Sequence, residues 1–366
     1  MALFIRALIL ACLYCTAFCL TLESVDRHID LTSQLSRHTI NFELNEPAKE
    51  FEFLVPPELA AHLSWISAKS SSGTPLDVGS RVEKQHDGYT YLSFSIPING
   101  KAVTVECVYT HTMQPYPREI LQHESQLVLY TDNHYVFSGY HCKKQTTTVK
   151  LPTVSVEHYS RLSPSELRGD TITYGPYNKV KPYAVSLMKL HFENNRPFLA
   201  VRKMVKEIEV SHWGNVAVEE TYEVEHTGAA LKGPFSRVQR YNPAAARDMI
   251  LYLPPYASDI YYRDEIGNIS SSHTWFAENY VKLELAARYL MFGGWNTEFY
   301  MGYNLPLEKF LFQSSEDATL LMLNITVATH IEAAAIDHLT VRVILPEGSR
   351  YSFSKVLYSA LLLTSS

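Results

Sequence analysis

The chain has 366 residues, 46% of them hydrophobic and 19% charged, with a formal net charge of −6. That length accommodates two domains, each with its own core. The acidic balance argues against a nucleic-acid partner, which rewards a basic face.

From the N-terminus, the first element is a processing signal. Arg6 supplies the positive charge, residues 7–19 a short apolar run, and Ala17-Phe18-Cys19 the residues before cleavage. Residues 1–19 are expected to be a signal peptide, because the run is well short of the ~20 apolar residues a spanning helix needs. Cleavage removes Cys12, Cys15 and Cys19 and leaves Cys107 and Cys142 in an oxidising compartment. A disulfide between them would close a loop stabilised by roughly 3–4 kcal/mol. Alternatively, Cys107 lies on the apolar face of Val103, Val105, Cys107 and Tyr109 and is a buried free thiol. Both readings stand at this level, and neither implies redox chemistry.

After the leader the texture is strand and turn. Residues 39–44 and 102–110 alternate with period two, as expected of half-buried strands. Between them, 57–66 (PELAAHLSWI) is the best helical candidate, and the Ser/Gly-rich 70–80 is a loop. Farther on, Ile208 and Val210 alternate with Glu207 and Glu209, and His212-Trp213-Gly214-Asn215 turns the chain. Val216, Val218, Tyr222 and Val224 then share one face, opposite Glu219, Thr221, Glu223 and Glu225, which is the pattern of an antiparallel hairpin. Residues 321–327 and 339–345 alternate again. The class is mainly β, with two consecutive antiparallel β-sandwich-like domains.

A faint internal repeat supports two domains. Ile29 and Leu31, then Ile40, Phe42 and Leu44, then Phe53-Leu54-Val55-Pro56-Pro57 form one pass. Ile208 and Val210, then Val218, Tyr222 and Val224, then Leu251-Tyr252-Leu253-Pro254-Pro255 form a second, with an extra stretch at 228–246. Asn194-Asn195-Arg196-Pro197 is the natural linker, so the expected domains are 20–198 and 199–350.

No catalytic constellation is written in the chain. His123-Glu124 lacks the second histidine of HExxH, and there is no nucleophile elbow, Walker loop or dinucleotide fingerprint. Cys107, His111, His123, His134, His141 and Cys142 form a loose cluster without zinc spacing, so neither a metal nor a cofactor is expected. Glu219, Glu223 and Glu225 belong to the solvated side of a strand, and Asp264 and Glu265 to a turn. Lys189, Arg196, Arg202, Lys203 and Lys206 form a basic run interrupted by Glu193 and followed by Glu207 and Glu209, which is a mixed solvated face. The chemistry that is written plainly is done to the protein: Asn268-Ile269-Ser270 and Asn324-Ile325-Thr326 are N-glycosylation sequons. Asn268 falls in a polar turn. Asn324 falls on a strand, opposite Leu321, Leu323, Ile325 and Val327.

Several long strings carry a family resemblance. VSHWGN (210–215), HTGAALKGPFSR (226–237) and YYRDEIGN (261–268) resemble signatures of the ribophorin I family and occur in that family's order. So do PYPREI (115–120), NHYVFSGY (133–140), YGPY (174–177), FGGW (292–295), GYNLP (302–306) and VILPEG (343–348). The resemblance implies a non-catalytic lumenal subunit of the endoplasmic-reticulum oligosaccharyltransferase, presenting polypeptides to a catalytic subunit that carries the metal. Its partners would be the other transferase subunits, the catalytic one included, and nascent polypeptides. Family members continue with a transmembrane helix, whereas 351–366 is a divergent tail whose apolar part, 356–363, is too short to span a bilayer. Membrane association is therefore expected through the complex. A secreted β-sandwich binding protein unrelated to glycosylation is the alternative.

Overall fold

The computed structural model describes residues 20–238, 244–315, 319–327 and 329–350. The expected signal peptide and divergent tail lie outside the described residues.

Two hydrophobic cores follow one another along the chain, and each is enclosed by two sheets. Among the described residues, the first core lies between a nine-stranded and a four-stranded sheet. The larger sheet is centred on Thr21–Asp30, Ser36–Val55 and Tyr89–Tyr109; the smaller contains Leu127–Asn133 and Leu187–Glu193. Val25, Ile29, Phe42 and Val105 from one face meet Val128, Tyr130, Leu190 and Phe192 from the other. Period-two alternation places these side chains inward and sends their neighbours to solvent. Most pairings are antiparallel, but Thr21–Asp30 runs parallel to His141–Lys150.

The second core lies between a seven-stranded and a three-stranded sheet, again among the described residues. The larger holds the hairpin Leu199–Val210 and Asn215–His226, followed by Asn296–Pro306 and Ser258–Asp264. Ile208 pairs with Val218 and Val210 with Val216, and the turn closes with Ser211 N–H donating to Asn215 O at 3.0 Å. The opposing sheet contains Ala246–Leu253 and Val281–Met291. Met204, Val218 and Tyr222 pack there against Leu251, Leu283 and Leu285. Mainly antiparallel β architecture in sandwich-like layers is thus the fold.

The first core ends at Phe198 and the second begins at Leu199. The connection is anchored rather than loose. Asn194 is fully buried, its N–H donates to Gln126 O at 2.9 Å, and its own O accepts from Gln126 Nε2 at 2.8 Å. The two passes of the repeat also differ. Ser36–Val55 is one long strand, irregular between Glu43 and Ala48, that stays in a single sheet. Its counterparts Asn215–His226 and Ala246–Leu253 lie in opposite layers.

Two local expectations are corrected. The helix stops at Pro57–Ala60, and Leu63–Ser70 is a strand paired with Tyr89–Tyr109. An available sheet edge outweighs the helical preference of a short Ala/Leu run. The strand expected at 321–327 is only Leu321–Leu323, and Leu321 is exposed, not inward.

Candidate functional site

Strings far apart in sequence meet where the two cores abut. Glu119 and Ile120 pair in parallel with Ala230 and Leu231. Ala230 N–H donates to Arg118 O, and Lys232 N–H to Ile120 O, both at 2.8 Å. His226 N–H donates to Trp295 O at 2.9 Å, and Gly294 N–H returns to His226 O at 2.8 Å. A Cβ on Gly293 would lie 2.0 Å from Ala229 O, so only glycine lets these backbones approach. PYPREI, HTGAALKGPFSR and FGGW therefore build one seam. Gln34 adds to it by donating from Nε2 to Leu199 O at 2.7 Å, and His111 Nε2 lies 2.8 Å from Asp337 Oδ1. In YGPY, Gly175 sits at φ 99 with no room for a Cβ beside Gln145 O, while Tyr174 and Tyr177 are buried and donate to Ser160 O and Leu162 O. VSHWGN turns the hairpin, and YYRDEIGN runs from the end of Ser258–Asp264 through a turn into Gly267–Asn268.

The residues singled out for chemistry do not converge. Among the described residues no three His, Cys, Asp or Glu side chains form a ligand set. His123 and His141 are exposed, His111 bonds to Asp337, and His134 is buried against Tyr174. Cys107 and Cys142 are buried free thiols, and burial pushes them up to about 12 and about 11. They stand three strand spacings apart in the larger sheet, about 14 Å sideways, and are further offset by about six residues along the strands. A bridge requires Cα atoms within about 7 Å, so the structure offers them no disulfide geometry. Asp264 is a turn residue: its Oδ1 accepts from Ile266 N–H at 3.0 Å and Gly267 N–H at 3.1 Å, and Arg288 grips both oxygens. Lys203 pairs with Glu223 at 3.0 Å and Arg202 with Glu225 at 2.7 Å, as on a mixed solvated face.

Lys206 departs from that face. It is fully buried, with Nζ 2.7 Å from Oε1 of a fully buried Glu220. His330 Nε2 stands 3.3 Å from the same oxygen, Tyr222 donates to Oε2 at 2.5 Å, and Tyr303 donates to Oε1 at 3.4 Å. Burial pushes the Glu220 carboxyl up, but the His330 and Lys206 charges and hydrogen bonds reverse this and hold it well below its ordinary value. Parity could have found both residues. Glu220 falls between Val218 and Tyr222, and Lys206 between Met204 and Ile208, on inward positions.

The first core has its own buried ion pair. Arg27 Nη1 lies 3.3 Å from Asp132 Oδ2, while Nη2 donates to Asn133 O at 2.6 Å and His134 O at 3.0 Å. Nε donates to Thr147 Oγ1 at 3.3 Å. Here burial wins over the Arg27 charge, and the Asp132 carboxyl stays above its ordinary value.

Both sequon asparagines are exposed. Asn268 lies in the two-residue strand Gly267–Asn268, and its Oδ1 accepts from Arg263 Nε at 2.7 Å. Asn324 follows the strand Leu321–Leu323 instead of lying in it, and its N–H donates to Phe310 O at 2.8 Å.

The most open feature of the second core is the strand Leu339–Ile344. It pairs in parallel with Leu199–Val210 and has no strand on its other side among the described residues. Leu339, Val341 and Val343 pair with Met204, Lys206 and Ile208, so they continue the inward face of the sheet. Their partners are fully buried, yet these three are 37–49% exposed, because the opposing sheet does not reach over them.

The site and fold define a double β-sandwich protein with a glycine-dependent seam between its cores and one apolar sheet edge left open. The ribophorin I family model matches residues 20–359, and the chain belongs to that family. Dolichyl-diphosphooligosaccharide–protein glycosyltransferase subunit 1B of Arabidopsis thaliana is 36% identical over 95% of this chain and 80% of its own length. Subunit 1A of the same plant is 38% identical over 90% of this chain and 57% of its own. Subunit 1 of Caenorhabditis elegans is 34% identical over 88% and 58%. No helix among the described residues is long and apolar enough to cross a membrane.

Proposed function

We propose that the chain is a non-catalytic lumenal subunit of the endoplasmic-reticulum oligosaccharyltransferase, which holds polypeptides for N-linked glycosylation. The observation that carries the polypeptide-holding role is the open edge at Leu339–Ile344. Its free backbone groups can pair with an extended segment, and the uncovered Leu339, Val341 and Val343 can receive alternate apolar side chains. Such an edge is otherwise an aggregation hazard and calls for a partner. The names of the relatives support the complex. Its partners are then the other transferase subunits, including the catalytic one, and nascent polypeptides; the membrane is reached through the complex, and no cofactor is required.

Purification of the tagged chain from solubilised microsomes is expected to bring the catalytic subunit with it. Recovery of the chain alone would favour the secreted binding protein unrelated to glycosylation. Supplied with divalent metal, the isolated chain is expected to leave lipid-linked donor intact, and donor turnover would remove the non-catalytic assignment.

The same reading takes 20–198 and 199–350 as the two lumenal domains, supported by the change of core between Phe198 and Leu199. It takes Asn268 and Asn324 as carbohydrate carriers. Asn268 is expected to be the more fully occupied, since Asn324 is tethered to Phe310 and flanked by half-buried Leu323 and Ile325. Glycosidase release followed by peptide mass spectrometry reads both, and an unmodified Asn268 in microsomal protein would count against this assignment.

A further inference from the structure

The outer face of the nine-stranded sheet carries a block of positive charge on a chain whose net charge is negative. Cys142 pairs with Val180, and Lys144 with Asn178, across the antiparallel strands His141–Lys150 and Thr171–Val180. Cys142 and Val180 point into the core. Between these pairs Lys143 falls opposite Lys179, and both are exposed; His141 at the strand's start and Lys181, just past Val180, are exposed as well. Lys144 is exposed beside them. Lys143 has one carboxylate, Glu23, at 2.5 Å. Lys144, Lys179 and Lys181 have no ion-pair partner among the described residues. Like charges directly opposite one another weaken an antiparallel pair. Folding alone gives no reason to set Lys143 against Lys179.

We propose that this block docks an acidic, extended polypeptide segment. Lys143 and Lys179 stand roughly 5 Å apart across the strands, with Lys144 and Lys181 one and two residues away along their own chains. An extended acidic chain, with side chains at alternate positions about 7 Å apart, spreads its carboxylates over several such separated lysines. A phosphate or diphosphate asks instead for donors that converge on one point. The backbone adds to the fit. Ser165–Arg168 pairs only with Thr171 to Tyr174, so beside Lys179 the far flank of Thr171–Val180 carries no strand among the described residues. A segment laid along this flank meets the lysines and a free edge together. The proposal rests on register and charge alone and is independent of the glycosylation reading.

Fluorescence anisotropy with a labelled peptide of alternating Glu and Gly tests it on the whole chain. Binding is expected at 50 mM salt, weakened at least tenfold at 300 mM, because exposed charges are screened within about a Debye length. K179E/K181E is expected to weaken it at least tenfold again. The same variant is expected to melt at an unchanged or higher temperature, since it removes the like-charge opposition, so lost binding cannot be ascribed to unfolding. Equal affinity for an alternating Ser and Gly peptide would overturn the proposal, as would a K179E/K181E variant that binds like the parent. Displacement of the peptide by an equal concentration of inorganic diphosphate would also overturn it, in favour of a phosphate site.

Discussion

Replacing Glu220 by Gln is expected to cost the second core about 3–5 kcal/mol, the penalty for leaving one partner of a buried ion pair alone. Lys206 would lose its carboxylate partner at a position with no access to water. Replacing the pair together, as E220Q/K206M, is expected to recover much of the loss, because a buried pair is often matched by apolar side chains of similar volume. Chemical denaturation of the single and double variants measures this coupling, and additive losses would show that the two residues act separately. The pH dependence has a definite sign. Glu220 is held below the ordinary value of 4.5, so its contribution is complete above that value. It is lost as pH falls through the lower, folded value. E220Q is expected to flatten this acid limb, and an unchanged limb would assign it to other carboxylates.

Much of this architecture is legible in the residues, and the failures share one cause. The hairpin around His212 to Asn215 could be read because each strand buries one face, so alternation records which side is covered. The same parity places Glu220 and Lys206 inward. Charge placed Lys206 on a solvated face in a reading by residue type and left Glu220 unassigned, whereas the core accepts both because each satisfies the other. The helix expected at 57–66 failed for a tertiary reason: Leu63, Trp65 and Ile66 face strand partners some forty residues downstream, which local propensity does not register. The seam was invisible as a site, although all three of its strings were conspicuous. Glu119 and Ala230 are joined only by the fold, and the need for glycine at position 293 appears only when Ala229 O is seen beside it. The openness of Leu339–Ile344 was also hidden, because its alternation is that of an ordinary half-buried strand. Exposure depends on where the opposing sheet stops.

In the first core, replacing Arg27 by Met is expected to cost about 3–5 kcal/mol, and Asp132→Asn is expected to cost less. The asymmetry follows from the partners. Arg27 serves Asp132, the carbonyls of Asn133 and His134, and Thr147 at once, so its loss strands several buried acceptors. D132N leaves Arg27 its neutral acceptors and removes a carboxylate whose charge is already disfavoured by burial. Lys at position 27 is expected to rescue little, because a single ammonium cannot replace a fork that reaches four partners. The acid response should oppose that of Glu220. Asp132 is raised above its unfolded value, so the folded state binds the proton more readily. Its penalty at neutral pH is relieved as pH falls through the folded value toward the unfolded one. Melting D132N and the parent across that range is expected to show the smallest cost of D132N at neutral pH and a larger one in acid. A D132N variant less stable than R27M would instead make the carboxylate the essential member of the pair.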